Sequence, residues 1–303
     1  MAHSLSELRW LLGCVLSHPY NRGRRFSAFF RFVSWQIRKR LFKRPAIIRV
    51  GATRQFKVVC DSPFSSTALY NVLPDWDEMN FLIRFLRPSD GFIDIGANVG
   101  FYTILASTVV TEGPILAFEA NPRNVEVLRQ QVELNHLPNA EIFCTALGNS
   151  TGELSFHDSG RETGSVQEGS GAGAKLITVP CSRLDDCLDS RTLPPCVVAK
   201  MDVEGFETTV LEGARDAMKK GGVSVWLFEL NDVALREHGS SGEKLIEAFT
   251  AHGYSICYWD QDSRRIGRRG DERDHDRENY LACRDVEIIE RRIISANATH
   301  TVS

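Results

Sequence analysis

The nine residues from Phe92 to Gly100, FIDIGANVG, constrain this chain more than any other stretch. An apolar strand runs into a carboxylate, Asp94, then turns through Gly96, Asn98 and Gly100 into the helical run FYTILASTVV. A glycine-rich strand-to-helix turn lets a ligand approach the backbone, and by itself it indicates a nucleotide-like cofactor. The carboxylate narrows the choice. A dinucleotide would bring a pyrophosphate to the helix N-terminus, and an acid at the lip of the turn would repel it. S-adenosylmethionine (SAM) carries an ammonium and a sulfonium instead, and both favour a nearby carboxylate. The turn is therefore read as a SAM site.

A second acid supports that reading. The strand Ile115 to Phe118 ends in Glu119, and an acid at the tip of the second strand suits the two ribose hydroxyls of an adenosine. The bland alternative is a solvated acid at a strand end, and the glycine turn beside it favours the ribose. Asn121 followed by Pro122 fits an N-cap with proline at the first helical position. The residues expected to hold the cofactor are Asp94, Gly96, Ala97, Asn98, Gly100, Glu119 and Asn121.

In order along the chain, DIGANVGFYT, FEANP, KMDVEGFE and LFELN resemble the motifs of the FkbM-type class I SAM-dependent methyltransferases. The family patterns are D-x-G-A-N-x-G-x-x-T, E-P/A-x-P and K-x-D-V-E-G-x-E. The lead-in DWDEMNFLIRFLRPSDGF is similar to the family's acidic first helix, and the resemblance covers about residues 70 to 260. It implies methyl transfer, mostly to hydroxyl oxygens of sugars, glycolipids or polyketide-like products. The implied fold is α/β and Rossmann-like, a seven-stranded, mostly parallel sheet with helices on both faces.

The pattern of elements agrees with that class. Strands are expected at 92–95, 115–119, 141–146, 197–202, 223–230, 254–259 and 279–284, the last two as a hairpin. Helices are expected at 77–86, 100–110, 122–136, 206–219 and 240–252. This gives three units: residues 1–70 as a basic extension, 71–285 as the methyltransferase domain, and 286–303 as a tail. The Gly- and Ser-rich stretch Gly160 to Gly173 reads either as part of an acceptor lid or as a permissive insertion. The charged run DQDSRRIGRRGDERDHDREN reads as a solvated link between the final strands.

Net charge is −3 over 303 residues, and it is unevenly spread. Up to Cys60 the one acidic residue is Glu7, while Arg22, Arg24, Arg25, Arg31, Arg38, Lys39 and Arg40 crowd together. Arg25 to Phe42 reads as an amphipathic helix with Phe26, Phe29, Phe30, Val33, Ile37 and Leu41 in one stripe, Phe32 and Trp35 at its margins, and arginines opposite. Either it packs on the catalytic domain, the favoured reading, or it makes a peripheral contact with an anionic membrane. No run is long enough to span a bilayer, and WLLGCVL lacks the flanks of a signal peptide. Eight scattered cysteines show no metal spacing and suit a reducing cytoplasm, at the inner face of a membrane if the helix binds one.

Methyl transfer to an alcohol needs a base or a metal near the acceptor. The apolar run VVAKM leads into Asp202, with Glu204 and Glu207 close behind, and Glu229 ends the neighbouring strand. Ligands of open α/β sheets bind at the carboxyl ends of strands, so Asp202, Glu204 and Glu229 are the expected catalytic residues. Glu207 is equally well read as a first-turn acid favoured by the helix dipole. Asp202, Glu229 and Asn231 form a set of oxygen donors, but offset from the magnesium pattern of catechol-type enzymes, and no metal is expected. His157 and Asp158 are alternative bases.

Several acceptors are argued down. DVEG stands where base-amine methylation needs an Asn/Asp-Pro-Pro-aromatic turn, and Pro195-Cys196 lies at the wrong end of the sheet for cytosine chemistry. Ribose methylation relies on a Lys-Asp-Lys-Glu group, and here Lys200 and Asp202 are expected on opposite strand faces. Nucleic acid is thus not an expected partner; the expected one is a small-molecule, glycan or lipid-linked hydroxyl acceptor. RNA or protein methylation, a nicotinamide oxidoreductase, and a membrane adaptor with a residual SAM fold are the competing readings.

Overall fold

The computed structural model describes residues 5–60, 62–158, 175–274 and 277–296. A helical hairpin comes first, α1 (Leu5–Ser17) and α2 (Arg25–Ile37), joined by a tight turn over Pro19–Asn21. Asn21 is fully buried and ties the joint: its Nδ2 donates to the Val15 carbonyl at 2.8 Å, and Arg31 donates to its Oδ1 at 2.6 Å. α2 continues as one wider π turn over Arg38–Phe42. The antiparallel hairpin β1 (Ala46–Val50) and β2 (Arg54–Val58) follows, then α3 (Pro63–Asn71) and α4 (Trp76–Phe85).

The rotation of α2 corrects the sequence expectation. Its buried residues are Ala28, Phe32 and Trp35, the last two placed at the margins of the stripe. At 100° per residue these lie on the side opposite Phe26, Phe30 and Ile37, which are exposed. Trp35 Nε1 donates to Ser66 Oγ at 3.0 Å, Arg31 donates to the Tyr70 carbonyl at 2.9 Å, and the Phe32 and Tyr70 rings sit 5.2 Å apart. The stripe has no polar atoms to make such bonds, so the margin residues fix the helix on α3.

The main sheet uses β3 (Gly91–Ile95), β4 (Ile115–Glu119) and β5 (Ala140–Cys144), with α5 (Phe101–Ala106) and α6 (Pro122–Leu134) between them. After β5, the short strands β6 (Ala146–Leu147), β7 (Gly152–Asp158) and β8 (Lys175–Ser182) form a separate sheet ordered β6-β8-β7. Then come α7 (Leu184–Leu188), β9 (Val197–Met201), α8 (Glu207–Glu212), α9 (Arg215–Lys219) and β10 (Val225–Glu229). The chain continues through α10 (Asp232–Glu237), α11 (Gly242–Thr250), β11 (Ser255–Asp260), β12 (Arg265–Arg268), β13 (Asn279–Cys283) and α12 (Val286–Ala296).

In space the order is β12-β11-β13-β10-β9-β3-β4-β5. From β5 to β10 neighbours are parallel, and β13 runs antiparallel between β10 and β11. This is the Rossmann-like fold that the motifs imply. β3, β4 and β9 are buried at every position, as parallel strands covered on both faces must be. Strand order reverses between β3 and β9, and this switch point opens the crevice where such sheets bind ligands.

Two details depart from expectation. The sheet has eight strands, because Arg265–Arg268, inside the supposed solvated link, pairs with β11 as a charged edge strand. The helix expected over 206–219 is broken into α8 and α9. A Cβ at Gly213 would overlap the Gly148 carbonyl, so the chain bends where that loop passes. Among the described residues no helix is long and apolar enough to cross a membrane.

Candidate active site

The carboxyl edges of β3, β4 and β9 surround a cleft of about 670 Å³, counting the solvent at its mouth. Gly96, Asn98 and Glu119 line it on one side, and Asp202, Val203 and Glu204 on the other. Phe118, Leu147, Phe156 and Phe206 supply an apolar wall. Of these four, the sequence reading assigned none to the site. Leu147 and Phe156 belong to β6 and β7, in the small separate sheet that follows β5.

On the β3–β4 side, each acid is tied to the backbone or a hydroxyl. Glu119 is buried at the tip of β4; Asn98 N–H donates to its Oε2 and Asn121 N–H to its Oε1, both at 2.8 Å. Burial raises its pKa, and these bonds oppose the rise. Asp94 does not sit at the lip of the turn. It is completely buried beneath it, and its Oδ2 accepts from Thr103 Oγ1 at 2.6 Å. The reason is the hydroxyl one turn into α5, which draws the carboxylate under the loop. Asp94 Oδ1, Asn98 Oδ1 and Asn121 Nδ2 are buried without a hydrogen-bond partner.

Gly96 is required by the protein itself. Its φ is +76°, and a Cβ there would overlap the Asp202 carbonyl, so the turn closes directly on the chain leaving β9. Ala97 is buried against Leu128, Gly100 leads into α5, and Asn121 caps α6 by accepting from Arg123 N–H at 3.0 Å. None of these three lines the cleft, whereas Gly96, Asn98 and Glu119 do.

On the β9–β10 side, acids crowd one another. Lys200 Nζ donates to Asp202 Oδ2 at 2.7 Å and lies 4.7 Å from the centre of the Tyr102 ring. Lys200 and Asp202 therefore share a face, because positions two apart in extended chain point the same way. The pairing removes one argument against ribose methylation, although no lysine is among the described residues that line the cleft. Burial opposes the Lys200 charge, but Asp202 and Asp94 outweigh it and hold its pKa above the ordinary value. Tyr102 Oη donates to Asp75 Oδ2 at 2.7 Å, which brings the start of α4 into the same network.

Glu204 lines the cleft with a φ of 53°, a left-handed conformation that costs a glutamate about 1–2 kcal/mol. Glu207 holds that turn: its Oε1 accepts from Val203 N–H at 3.2 Å and Gly205 N–H at 3.3 Å. Of its two sequence readings, the structural one describes these contacts. Burial, then Asp202 and Glu204, push Glu229 up to about 7. Burial and Asp75 push Glu78 up to about 8. Asn231 caps α10, its Oδ1 accepting from Val233 and Ala234 N–H at 3.2 Å, so that oxygen is not free to join an oxygen-donor set. Among the described residues no three His, Cys, Asp or Glu side chains form a metal-holding group. The Gly160 to Gly173 stretch and the side chains of His157 and Asp158 lie outside the described residues.

Asp75, Glu78, Tyr102, Thr103 and Lys200 are the participants that residue-by-residue reasoning left without a role. Thr103 and Lys200 were nonetheless visible as the last letter of D-x-G-A-N-x-G-x-x-T and the first of K-x-D-V-E-G-x-E.

The Methyltransferase FkbM domain family matches residues 94–256. Hexuronic acid methyltransferase AglP of Haloferax volcanii is 28% identical over 144 residues, 47% of this chain and 57% of that protein. Methyltransferase 1 of Beauveria bassiana is also 28% identical, over 43% of this chain and 60% of that protein. The chain thus spans less than two thirds of the length of either relative. Among solved structures, precorrin-6y C5,15-methyltransferase of Geobacter metallireducens is 15% identical with a TM-score of 0.38, covering 67% of this chain and 85% of that one. Fibrillarin of Aeropyrum pernix, solved with natively bound SAM, is 14% identical with a TM-score of 0.37, covering 68% and 75%.

Proposed function

The chain belongs to the FkbM methyltransferase family, and from that premise we propose that it is a SAM-dependent O-methyltransferase acting on a hydroxyl of a glycan, glycolipid or polyketide-like metabolite. The observation that carries the reading is the pair of unlike acidic walls across one cleft. One wall suits a cationic nucleoside, and the other suits an alcohol that must lose its proton. The similarity to AglP, a hexuronic acid methyltransferase, favours a sugar-borne acceptor among these.

The residues present fit SAM. Glu119 at the tip of β4 retains acceptor capacity for the ribose, since a carboxylate offers about four lone-pair directions and three are used, by the N–H groups of Asn98 and Asn121 and, at 3.4 Å, by Asn124 Nδ2. Asp94 Oδ1 and Asn98 Oδ1 are buried acceptors awaiting donors, and the ammonium of the methionine end is a donor of that kind. Phe118, Leu147 and Phe156 offer the adenine an apolar wall. When bound, SAM supplies an electrophilic methyl group for in-line displacement.

The chain's own contribution lies on the other wall. Asp202 and Glu204 face the cleft, and Glu229 neighbours both closely enough for their charges to raise its pKa. Either Asp202 or Glu229 would accept the proton of the acceptor hydroxyl, and a base with a pKa of about 7 is well matched to neutral conditions. Lys200 Nζ donates to Asp202 Oδ2 and holds that carboxylate in place.

The test is incubation with isotopically labelled SAM and fractionated cell extract, followed by mass spectrometry of the labelled product. Label on a hydroxyl of a glycan, lipid-linked sugar or small metabolite is the expected result. Label on RNA or protein would reassign the acceptor. Calorimetry showing affinity for a nicotinamide dinucleotide and none for SAM would remove the cofactor assignment.

A further inference from the structure

We infer that the outward face of α2 and its π turn rests on the surface of an anionic lipid bilayer. The helix is held to the protein by Ala28, Phe32 and Trp35, which leaves its most apolar row turned away from the core. Phe26 is 86% exposed, Phe30 67%, Leu41 73% and Phe42 61%. Phe29 and Ile37 are exposed beside them, and Trp10 is exposed on α1. Isolated exposed apolar residues are ordinary, but a continuous row along a helix is a surface awaiting a partner.

The charges around the row identify that partner. Between Arg22 and Arg44 the sequence contains no acidic residue. Arg24, Arg25, Arg38, Arg40, Lys43 and Arg44 are exposed at the two ends and along the flanks of the row. An apolar helix face bordered by basic residues inserts shallowly among acyl chains while its cations meet anionic headgroups. Each basic side chain near such a surface adds attraction, within a Debye length. A second copy of the chain is a poor occupant, because a two-fold contact across this face would set arginine against arginine. A single strand of nucleic acid fits less well, because Ile37 and Leu41 interrupt the aromatics and the face is a convex helix rather than a groove.

This inference does not depend on the methyl-transfer reading. It is tested by sedimentation of the full-length chain with phosphatidylcholine vesicles, with and without phosphatidylglycerol. The expected result is binding to the anionic vesicles that weakens as salt is raised. The Phe26→Ser/Phe30→Ser/Leu41→Ser variant and the Arg25→Gln/Arg40→Gln/Arg44→Gln variant should each lose about tenfold or more in affinity. Because the substituted side chains are exposed, the circular dichroism melting curve of both should match wild type. No vesicle binding, equal binding to neutral vesicles, or undiminished binding by either variant overturns the proposal. So does self-association that the serine variant abolishes without vesicle binding, which would make the face a contact between copies. Binding of single-stranded RNA through the same residues, with no vesicle binding, overturns it as well.

Discussion

The two walls of the cleft are both acidic, yet their acids are treated in opposite ways. Beside the glycine turn, Glu119 receives N–H groups from Asn98 and Asn121, and Asp94 receives the Thr103 hydroxyl. On the other side, Asp202 and Glu204 line the cleft and Glu229 lies near them, among one another's carboxylates, with Lys200 donating to Asp202. Burial raises the pKa on both sides. At Glu119 hydrogen bonds chiefly oppose it, whereas at Glu229 neighbouring carboxylates add to it. A carboxylate fixed by donors is suited to hold a ligand. One crowded by its own kind is suited to take up a proton near neutral pH.

The largest expected effect tests the crowded wall. Asp202→Ala should lower turnover by about 10²–10⁴-fold at saturating SAM, measured on the acceptor that labelling identifies, while SAM affinity by calorimetry changes little. Intact turnover with weakened SAM binding would mean that the two walls exchange roles. Next in size is Lys200→Met, which leaves Asp94 and Asp202 without their counter-charge. Removing one partner of a buried pair costs about 3–5 kcal/mol; since Asp202 is 43% exposed in its side chain, the lower end is expected in urea unfolding. A loss near zero would show that Lys200 does not hold the acids together.

The holding wall answers to Glu119. Glu119→Ala should weaken SAM binding by about 1–3 kcal/mol, because the ribose hydroxyls lose a charged partner and two turn N–H groups lose their acceptor. Glu119→Gln keeps the shape and should retain part of that affinity. In both, turnover at saturating SAM should stay close to wild type. A fall in turnover with unchanged affinity would place Glu119 among the reacting groups and erase the distinction between the walls.

The motifs carried most of the fold, and less of the site. FIDIGANVG and VVAKM marked the switch-point strands, since short, mostly apolar runs that end at a glycine turn or an acid suit the buried strands of a parallel sheet. The eight-residue run KMDVEGFE divides in the structure into two halves that its letters do not separate. Lys200 and Asp202 pair toward the cleft, while Glu207 turns back to hold the Val203 and Gly205 amides. The other carboxylates near Lys200, Asp94 on β3 and Asp75 at the start of α4, stand more than a hundred positions earlier in sequence, so only folding reveals the network. α2 was legible as a helix but not in its rotation. Hydrophobicity ranks Phe26 and Phe30 with Phe32, and only the bonding partners waiting on α3 separate them.

The smallest effect is the pH dependence, and it is read without any acceptor assay. A glutamate pushed from 4.5 to about 7, as at Glu229, or to about 8, as at Glu78, keeps its proton in the native state after the unfolded chain has lost it. Between those pH values the native state binds more protons, so stability must fall as pH rises. Wild-type melting temperature should decline from about pH 5 to about pH 8. Glu229→Gln and Glu78→Gln should each flatten part of that decline. Turnover moves the other way if Glu229 is the base, rising through pH 7 as its carboxylate forms, and Glu229→Gln alone should remove that limb. A melting temperature that climbs over the interval, and climbs less steeply in the two variants, would mean that these glutamates are stabilised as ions. The crowded wall would then hold no proton near neutral pH, and the contrast between a wall that grips and a wall that takes protons would not survive.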